Sequence, residues 1–292
     1  MVKHNNIWLS ILIPTFNFPA GTSRIYDFIL RNYVSGLEVL VFDDSNNRDV
    51  YNLTRSHPIS KEKWFNYKKN KSSQGPVRNW NRLLLSSKGD YLWLLHHDEL
   101  PYSDDFLGKI KSIAIQKESH WSPDLIFLNN YVQLRNFSLF LPHIPIATKE
   151  LVVKIIPKYL FLHNLIGPPS SVIVRRERFV LFDELLNWFV DVNWYSQLIS
   201  SSKILFFSDL ALLSFRDNKN SISKNLSSKI GRIKMSESLY LLNDFEVVKI
   251  IRKKAFFYKT VYVLDFVLWK IFYTFIFFSS FFRLLIYKKE SL

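Results

Sequence analysis

The chain of 292 residues contains no cysteine. Structural disulfides and thiolate metal sites are therefore excluded, and a reducing compartment fits the composition. No glycine-rich loop follows the first apolar run. Pro14-Thr15-Phe16-Asn17 stands where a nicotinamide-binding or P-loop enzyme carries its phosphate-cradling glycines, which argues against both classes. The apolar stretch Ile7 to Ile13 is short, contains Ser10 and runs into Pro14 with no small-residue cleavage site, so a cleaved signal peptide is not expected. Internal repeats are absent. No charge-free apolar run reaches the roughly 20 residues of a spanning helix.

What is present is basic and aromatic. Apolar residues make up 48 % of the chain and charged residues 22 %, enough for a sizeable core and against global disorder. The net charge is +14, a field that favours anionic partners. Lys249 to Leu292 holds nine basic residues against two acidic ones, a surplus of seven and half the total. Phe256 to Tyr287 holds 14 aromatics in 32 residues, and its longest charge-free run, Ile271 to Phe282, has 12. This composition predicts a helix lying in the interface of an anionic membrane. A core helix pair and a span with Lys270 snorkelling are the competing readings. Nucleic acid is not an expected partner, because the charge peaks where aromatics are too dense for a solvated patch and no reader motif is present.

Buried strands are expected at Trp8–Ile13, ended by Pro14, and at Glu38–Phe42, Trp64–Tyr67 and Asp90–Leu95. Helices are expected at Ser23–Tyr33, Pro76–Ser87 and Asp104–Lys117, the last capped by Ser103. Further strands are expected at Leu125–Leu128, Ser171–Val174, Ile204–Phe207 and Leu210–Phe215, with a helix over Phe182–Ser200 interrupted near Asp191. Arg216 to Ser228 is polar loop sequence. Apolar strands alternating with helices imply an α/β fold with a mostly parallel sheet covered on both faces. Ligands bind such sheets beyond the strands' carboxyl ends. Polar clusters end the first, second and fourth strands: Thr15-Phe16-Asn17, Asp43-Asp44-Ser45 and His96-His97-Asp98-Glu99. They should share one crevice.

Each cluster has an ordinary reading. Asp43-Asp44-Ser45-Asn46-Asn47 is good turn material, and a lone histidine is commonly a structural hydrogen-bonding group. Asp98, with His96 as a second contact, could instead hold a divalent ion against a nucleotide diphosphate, the imidazole suiting Mn²⁺ better than Mg²⁺. As an ordered set, Pro14-Thr15-Phe16-Asn17, Asp43-Asp44-Ser45, Gly75-x-x-Arg78-Asn79, Lys88-Gly89-Asp90-Tyr91 and the acidic cluster after the next strand resemble the family 2 glycosyltransferases.

That resemblance implies an inverting transferase of GT-A fold, a Rossmann-like mixed α/β sheet for nucleotide-diphospho-sugars. It would span residues 1–228, with a nucleotide-sugar half at 1–117 and an acceptor half at 118–228, followed by a helical membrane-associating region at 229–292. Pro14, Thr15, Phe16, Asn17, Asp43, Asp44, Arg78, Asn79, His97 and Arg216 become nucleotide-sugar contacts, with Asp43 on the base and Arg78 or Arg216 near the diphosphate. Asp98 and His96 become metal ligands for Mn²⁺ or Mg²⁺. Asp191 becomes the catalytic base, although it could equally be the N-cap of a helix over Val192–Ser200.

The sequence departs from the family pattern in three places. His96-His97-Asp98 keeps one carboxylate of a D-x-D motif, and whether Asp98 or Glu99 is the matching acid stays open. Val190-Asp191 replaces the family's E-D pair. Asp217 or Asn218 stands where the late loop usually has histidine. The expected partners are a nucleotide-sugar donor and a lipid-linked saccharide acceptor at the cytoplasmic face of the inner membrane, in O-antigen or capsule synthesis. The rival readings are a non-catalytic nucleotide-sugar or membrane-binding protein and a nucleotidyltransferase.

Overall fold

A computed structural model describes residues 7–241 apart from 104, 116–121, 134–139, 143, 145, 156, 162 and 215–229. The chain divides into two units, Met1–Lys234 and Met235–Leu292. The expected membrane segment and the late loop with Arg216 lie outside the described residues.

The strands are β1 (Leu9–Thr15), β2 (Leu37–Asp43), β3 (Phe65–Lys69), β4 (Tyr91–Leu94), β5 (Glu99–Pro101), β6 (Leu125–Gln133), β7 (Phe140–Pro142), β8 (Val172–Arg175) and β9 (Leu205–Ser214). The helices are α1 (Pro19–Arg31), α2 (Asp49–Ser56), α3 (Pro76–Ser86), α4 (Phe106–Ala114), α5 (Ile146–Ile155), α6 (Val190–Ser201) and α7 (Ile230–Leu241). Among the described residues the strands form one sheet in the order β3-β2-β1-β4-β8-β6-β9-β5, with β7 on β6. β3, β2, β1 and β4 run parallel; β8 is antiparallel to both β4 and β6. The sheet is thus mixed rather than mostly parallel.

β1 is buried at every position and sits between β2 and β4. It does not stop at Pro14, as a proline rule predicts, but continues to Thr15. The last pair with β4 is Leu12 with Leu94, and Leu95 N–H closes that side by donating to the Leu12 carbonyl. Strand alternation turns the donor-less Pro14 nitrogen toward this side, where no ladder partner remains. Ile11, Ile13, Val39, Val41, Trp93 and Phe106 form the middle of the core, with Trp93 stacked on Phe106 at 5.3 Å. At Gly89 an added Cβ would come within 2.5 Å of the Ser10 backbone nitrogen, so only glycine fits there against β1.

Other boundaries move for local reasons. α1 starts earlier than expected, with Pro19 in its first turn, where a missing N–H costs nothing. α4 has Asp105 rather than Ser103 at its N-cap position. The expected helix over Phe182–Ser200 is helical only from Val190. The backbone at Phe182 is taken by Asn81 of α3, which accepts from Phe182 N–H at 2.8 Å and donates to its carbonyl at 2.9 Å. The two strands expected around residues 204–215 are one, β9, in which Ser208 and Asp209 form an irregularity in the ladder with β6. Leu210 N–H donates to Ser208 Oγ within that irregularity.

Candidate active site

The carboxyl ends of β1, β2 and β4 open on one cavity of about 890 Å³, lined also by α3, by Leu160, Phe161, His163, Asn164, Pro168 and Pro169, by residues 186–192, and by Lys234. Its wall includes Pro14 and Thr15 of β1 with Phe16 just after it, Asp44 just after β2, and His96, His97 and Asp98 after β4. The three clusters therefore meet.

The β1 end is tied in place before any ligand is considered. Phe16 N–H donates to His97 Nδ1 at 3.3 Å, and Asn17 N–H donates to Ser45 Oγ at 2.8 Å. An accepting Nδ1 requires the neutral imidazole protonated on Nε2, and burial pushes the His97 pKa down in the same sense. Asn17 is the one non-glycine with positive φ (49°) among the described residues, a conformation asparagine tolerates.

The two aspartates after β2 have different fates. Asp43 is fully buried and does not line the cavity. Its carboxylate accepts from Tyr67 Oη at 2.5 Å, from the Ser45 amide at 2.9 Å and from Lys69 Nζ at 3.4 Å. Asp44 does line the cavity, but both its oxygens are engaged. They accept from Asn70 Nδ2, Ser73 Oγ and the Gln74 and Gly75 amides at 2.7–3.0 Å. Asp44 thus fixes the 70–75 loop that forms one wall. Asn79 lines the same wall, donating to the Phe42 carbonyl and accepting from Asn70. Arg78, expected near a diphosphate, points elsewhere: it is exposed, pairs with Glu184 at 2.8 Å and is not part of the cavity wall.

Beyond β4 the fold separates Asp98 from Glu99. Asp98 lines the cavity, whereas Glu99 enters β5 opposite Ser214 of β9 and is buried away from it. Burial, followed by the neighbouring Asp98 charge, pushes Glu99 up to about 8. His96 lies against Trp80, ring centres 4.9 Å apart. Burial pushes it down to about 4, so it is neutral. Its Nε2 is buried and has no hydrogen-bond partner.

Among the described residues no three acidic or histidine side chains are arranged as a metal cage. Asp98, which lines the cavity, and His96, whose Nε2 has no hydrogen-bond partner, are the side chains here that could hold a divalent ion, its remaining ligands coming from substrate phosphates and water as is usual at nucleotide sites.

Asp191 lines the cavity from the first turn of α6. The helix N-cap is Phe189, so Asp191 is not the cap. Burial pushes its pKa up to about 7. A carboxylate of that kind exchanges its proton near neutrality, which suits a general base.

The remaining wall escaped sequence reasoning. Lys149 of α5 is buried and donates to the carbonyls of Leu128 at 2.7 Å and Ile166 at 3.2 Å. Asn130 also donates to Ile166, and Tyr195 of α6 donates to the Gly167 carbonyl at 2.9 Å. Gly167 has φ +102° and presses on Asn130, leaving no room for a side chain. Ser170 accepts from His96 N–H at 3.0 Å. The segment carrying Pro168 and Pro169 is thereby tied to α5, α6 and the β4 end at once. Lys149 followed by Glu150 reads in sequence as an ordinary surface pair, and nothing local marks the lysine as buried.

Residues 10–118 match the family described as Glycosyl transferase family 2. The chain is 25 % identical over 175 residues to a Haemophilus influenzae protein named "Uncharacterized glycosyltransferase", covering 59 % of this chain and 54 % of that one. It thus spans about half the length of that curated relative. The sheet and helices are similar to those of Staphylococcus aureus TarS residues 1–349 in complex with UDP-GlcNAc (TM-score 0.55, 13 % identity, 74 % of this chain and 61 % of that one). They are also similar to those of the mannosyltransferase PcManGT from Pyrobaculum calidifontis in complex with GDP-Man and Mn²⁺ (TM-score 0.51, 14 % identity, 73 % and 58 %). At these identities the structural likeness is one of fold.

Proposed function

We propose that the protein moves a sugar, with inversion, from a nucleotide-diphosphate donor to an acceptor hydroxyl; the match of residues 10–118 to glycosyl transferase family 2 and the GT-A fold of the sheet support this. The observation that carries this reading is the convergence of three polar strand ends and Asp191 on one cavity. The nucleotide half of the donor occupies the end bounded by Pro14, Thr15, Phe16, Asn79 and the loop fixed by Asp44. Asp191 takes the proton from the acceptor hydroxyl as that oxygen bonds to the anomeric carbon. The bond from that carbon to the diphosphate breaks on the opposite face, and the electron pair leaves with the nucleoside diphosphate. Asp98, with His96, would hold a divalent ion, Mn²⁺ or Mg²⁺, whose charge neutralises the diphosphate. The structural neighbours solved in complex with UDP-GlcNAc and with GDP-Man and Mn²⁺ support a donor of this class.

The acceptor in this reading is a lipid-linked saccharide of a surface polysaccharide such as an O-antigen or capsule, met at the cytoplasmic face of the inner membrane. The basic, aromatic composition of Lys249–Leu292 supports a membrane-borne acceptor. Among the described residues no helix is long and apolar enough to cross a membrane.

A panel of nucleotide sugars, each with and without Mn²⁺, tests the proposal by thermal shift. A true donor at about 100 times its dissociation constant adds roughly 2.7 kcal/mol of stability. The stabilising donor is then offered with a membrane lipid extract, and sugar transfer is followed by radiolabel. Binding without turnover by the unsubstituted protein would leave a nucleotide-sugar-binding module; no stabilisation by any member would refute the reading.

A further inference from the structure

The cavity wall carries the carboxylates Asp44, Asp98 and Asp191. Such a wall repels a phosphate unless a cation offsets it. The one lysine or arginine among the lining residues is Lys234, on α7. Its Nζ stands 4.5 Å from the centre of the Trp188 ring, and Trp188 lies three residues before Asp191. Among the described residues no ion pair uses Lys234, so the cation–π contact orients it without cancelling its charge. An ammonium resting on a ring keeps N–H donors for another acceptor.

We infer that Lys234, oriented by Trp188, is the phosphate-binding side chain of this cavity. The ligand class is a phosphate ester, carried either by the donor's diphosphate or by a lipid phosphate of the acceptor. The inference rests on the nucleotide-sugar reading above, which brings phosphate esters to this cavity.

The test is isothermal titration of the full chain with UDP, GDP, uridine, guanosine, and farnesyl phosphate or farnesol in detergent micelles. Lys234→Met keeps the stem and removes the charge; Lys234→Arg keeps the charge; Lys154→Met, on the exposed face of α5, controls for net charge. Loss of one charge-assisted contact should weaken binding of the phosphate-bearing member of a pair by about tenfold. Its phosphate-free counterpart should be unaffected, Lys234→Arg should restore binding, and Lys154→Met should change nothing. A loss confined to UDP or GDP assigns the donor diphosphate; a loss confined to farnesyl phosphate assigns the acceptor. Unchanged affinity for every phosphate that the unsubstituted protein binds overturns the role of Lys234 and leaves the transferase reading standing. An equal loss for uridine and UDP overturns it too, by showing a general disturbance of the cavity. An unsubstituted protein that binds none of the phosphates sinks the inference together with the donor reading.

Discussion

Replacing Asp191 with asparagine should make the protein more stable while abolishing its chemistry, and the gain should depend on pH in a defined direction. Folded Asp191 keeps its proton up to about pH 7, whereas in the unfolded chain the carboxyl titrates near 3.8. Between these values the folded state binds more protons than the unfolded one, so the native protein loses stability as pH rises through the window. Asparagine carries no such penalty. From pH 5 to the folded value is two units, each worth about 1.4 kcal/mol, or about 2.7 kcal/mol in all. Asp191 is only half-buried at the cavity wall, and cavity water takes up part of the penalty, so about half that figure is expected. Glu99, pushed up by burial, by Asp98 and least by Asp191 itself, is relieved in the same sense. Urea unfolding of both proteins at pH 5, 6, 7 and 8 should therefore show the Asp191→Asn advantage growing by about 1.5 kcal/mol, mostly below pH 7. Over the same range transfer by the unsubstituted protein should rise to a plateau with a midpoint near 7. The variant should lose at least about 100-fold. A stability difference that stays flat or shrinks from pH 5 to 8 would show that burial does not hold the proton on Asp191, and the argument for a base poised near neutrality would fall with it.

Lys149→Met should destabilise the protein by about 2 kcal/mol, because two buried carbonyls lose their donor. The loss should be larger at pH 9 than at pH 7 in calorimetry: burial pushes Lys149 down to about 7, and the native penalty for its charge fades as pH rises. Gly89→Ala should cost about 2 kcal/mol in chemical denaturation, since the new Cβ meets the Ser10 and Leu9 backbone rather than a movable side chain. Asp44→Ala should cost about 3 kcal/mol and raise amide hydrogen exchange at Gln74 and Gly75 well above that of β2, because both amides lose a charged acceptor.

Strand positions were legible wherever apolar runs ended in polar clusters, because those runs are buried on both faces and admit few alternatives. The clusters' convergence followed from parallel order alone, and the cavity contains all three. The partition of duties within a cluster was not legible. Asp43 and Asp44 are adjacent and chemically identical, yet one is sealed by Tyr67 and Lys69 and the other anchors the 70–75 loop. Those partners lie some 24–31 residues away in the chain. The Asp98 and Glu99 register depended likewise on β9, more than a hundred residues downstream. The helical expectation over Phe182–Phe189 failed for the same kind of reason: Asn81, on another element, claims the backbone that a helix would use at Phe182.

The loop bound to Asp44 also bears on how a ligand is chosen. A segment whose amides and hydroxyl are already fastened has little disorder left to lose on contact. The entropy of shaping that wall was spent during folding, so a molecule of the right outline meets a finished template. Selection at that end should therefore work by rejection rather than by accommodation. Analogues with a bulkier group against residues 73–77 should lose affinity outright, with no compensating rearrangement of the loop.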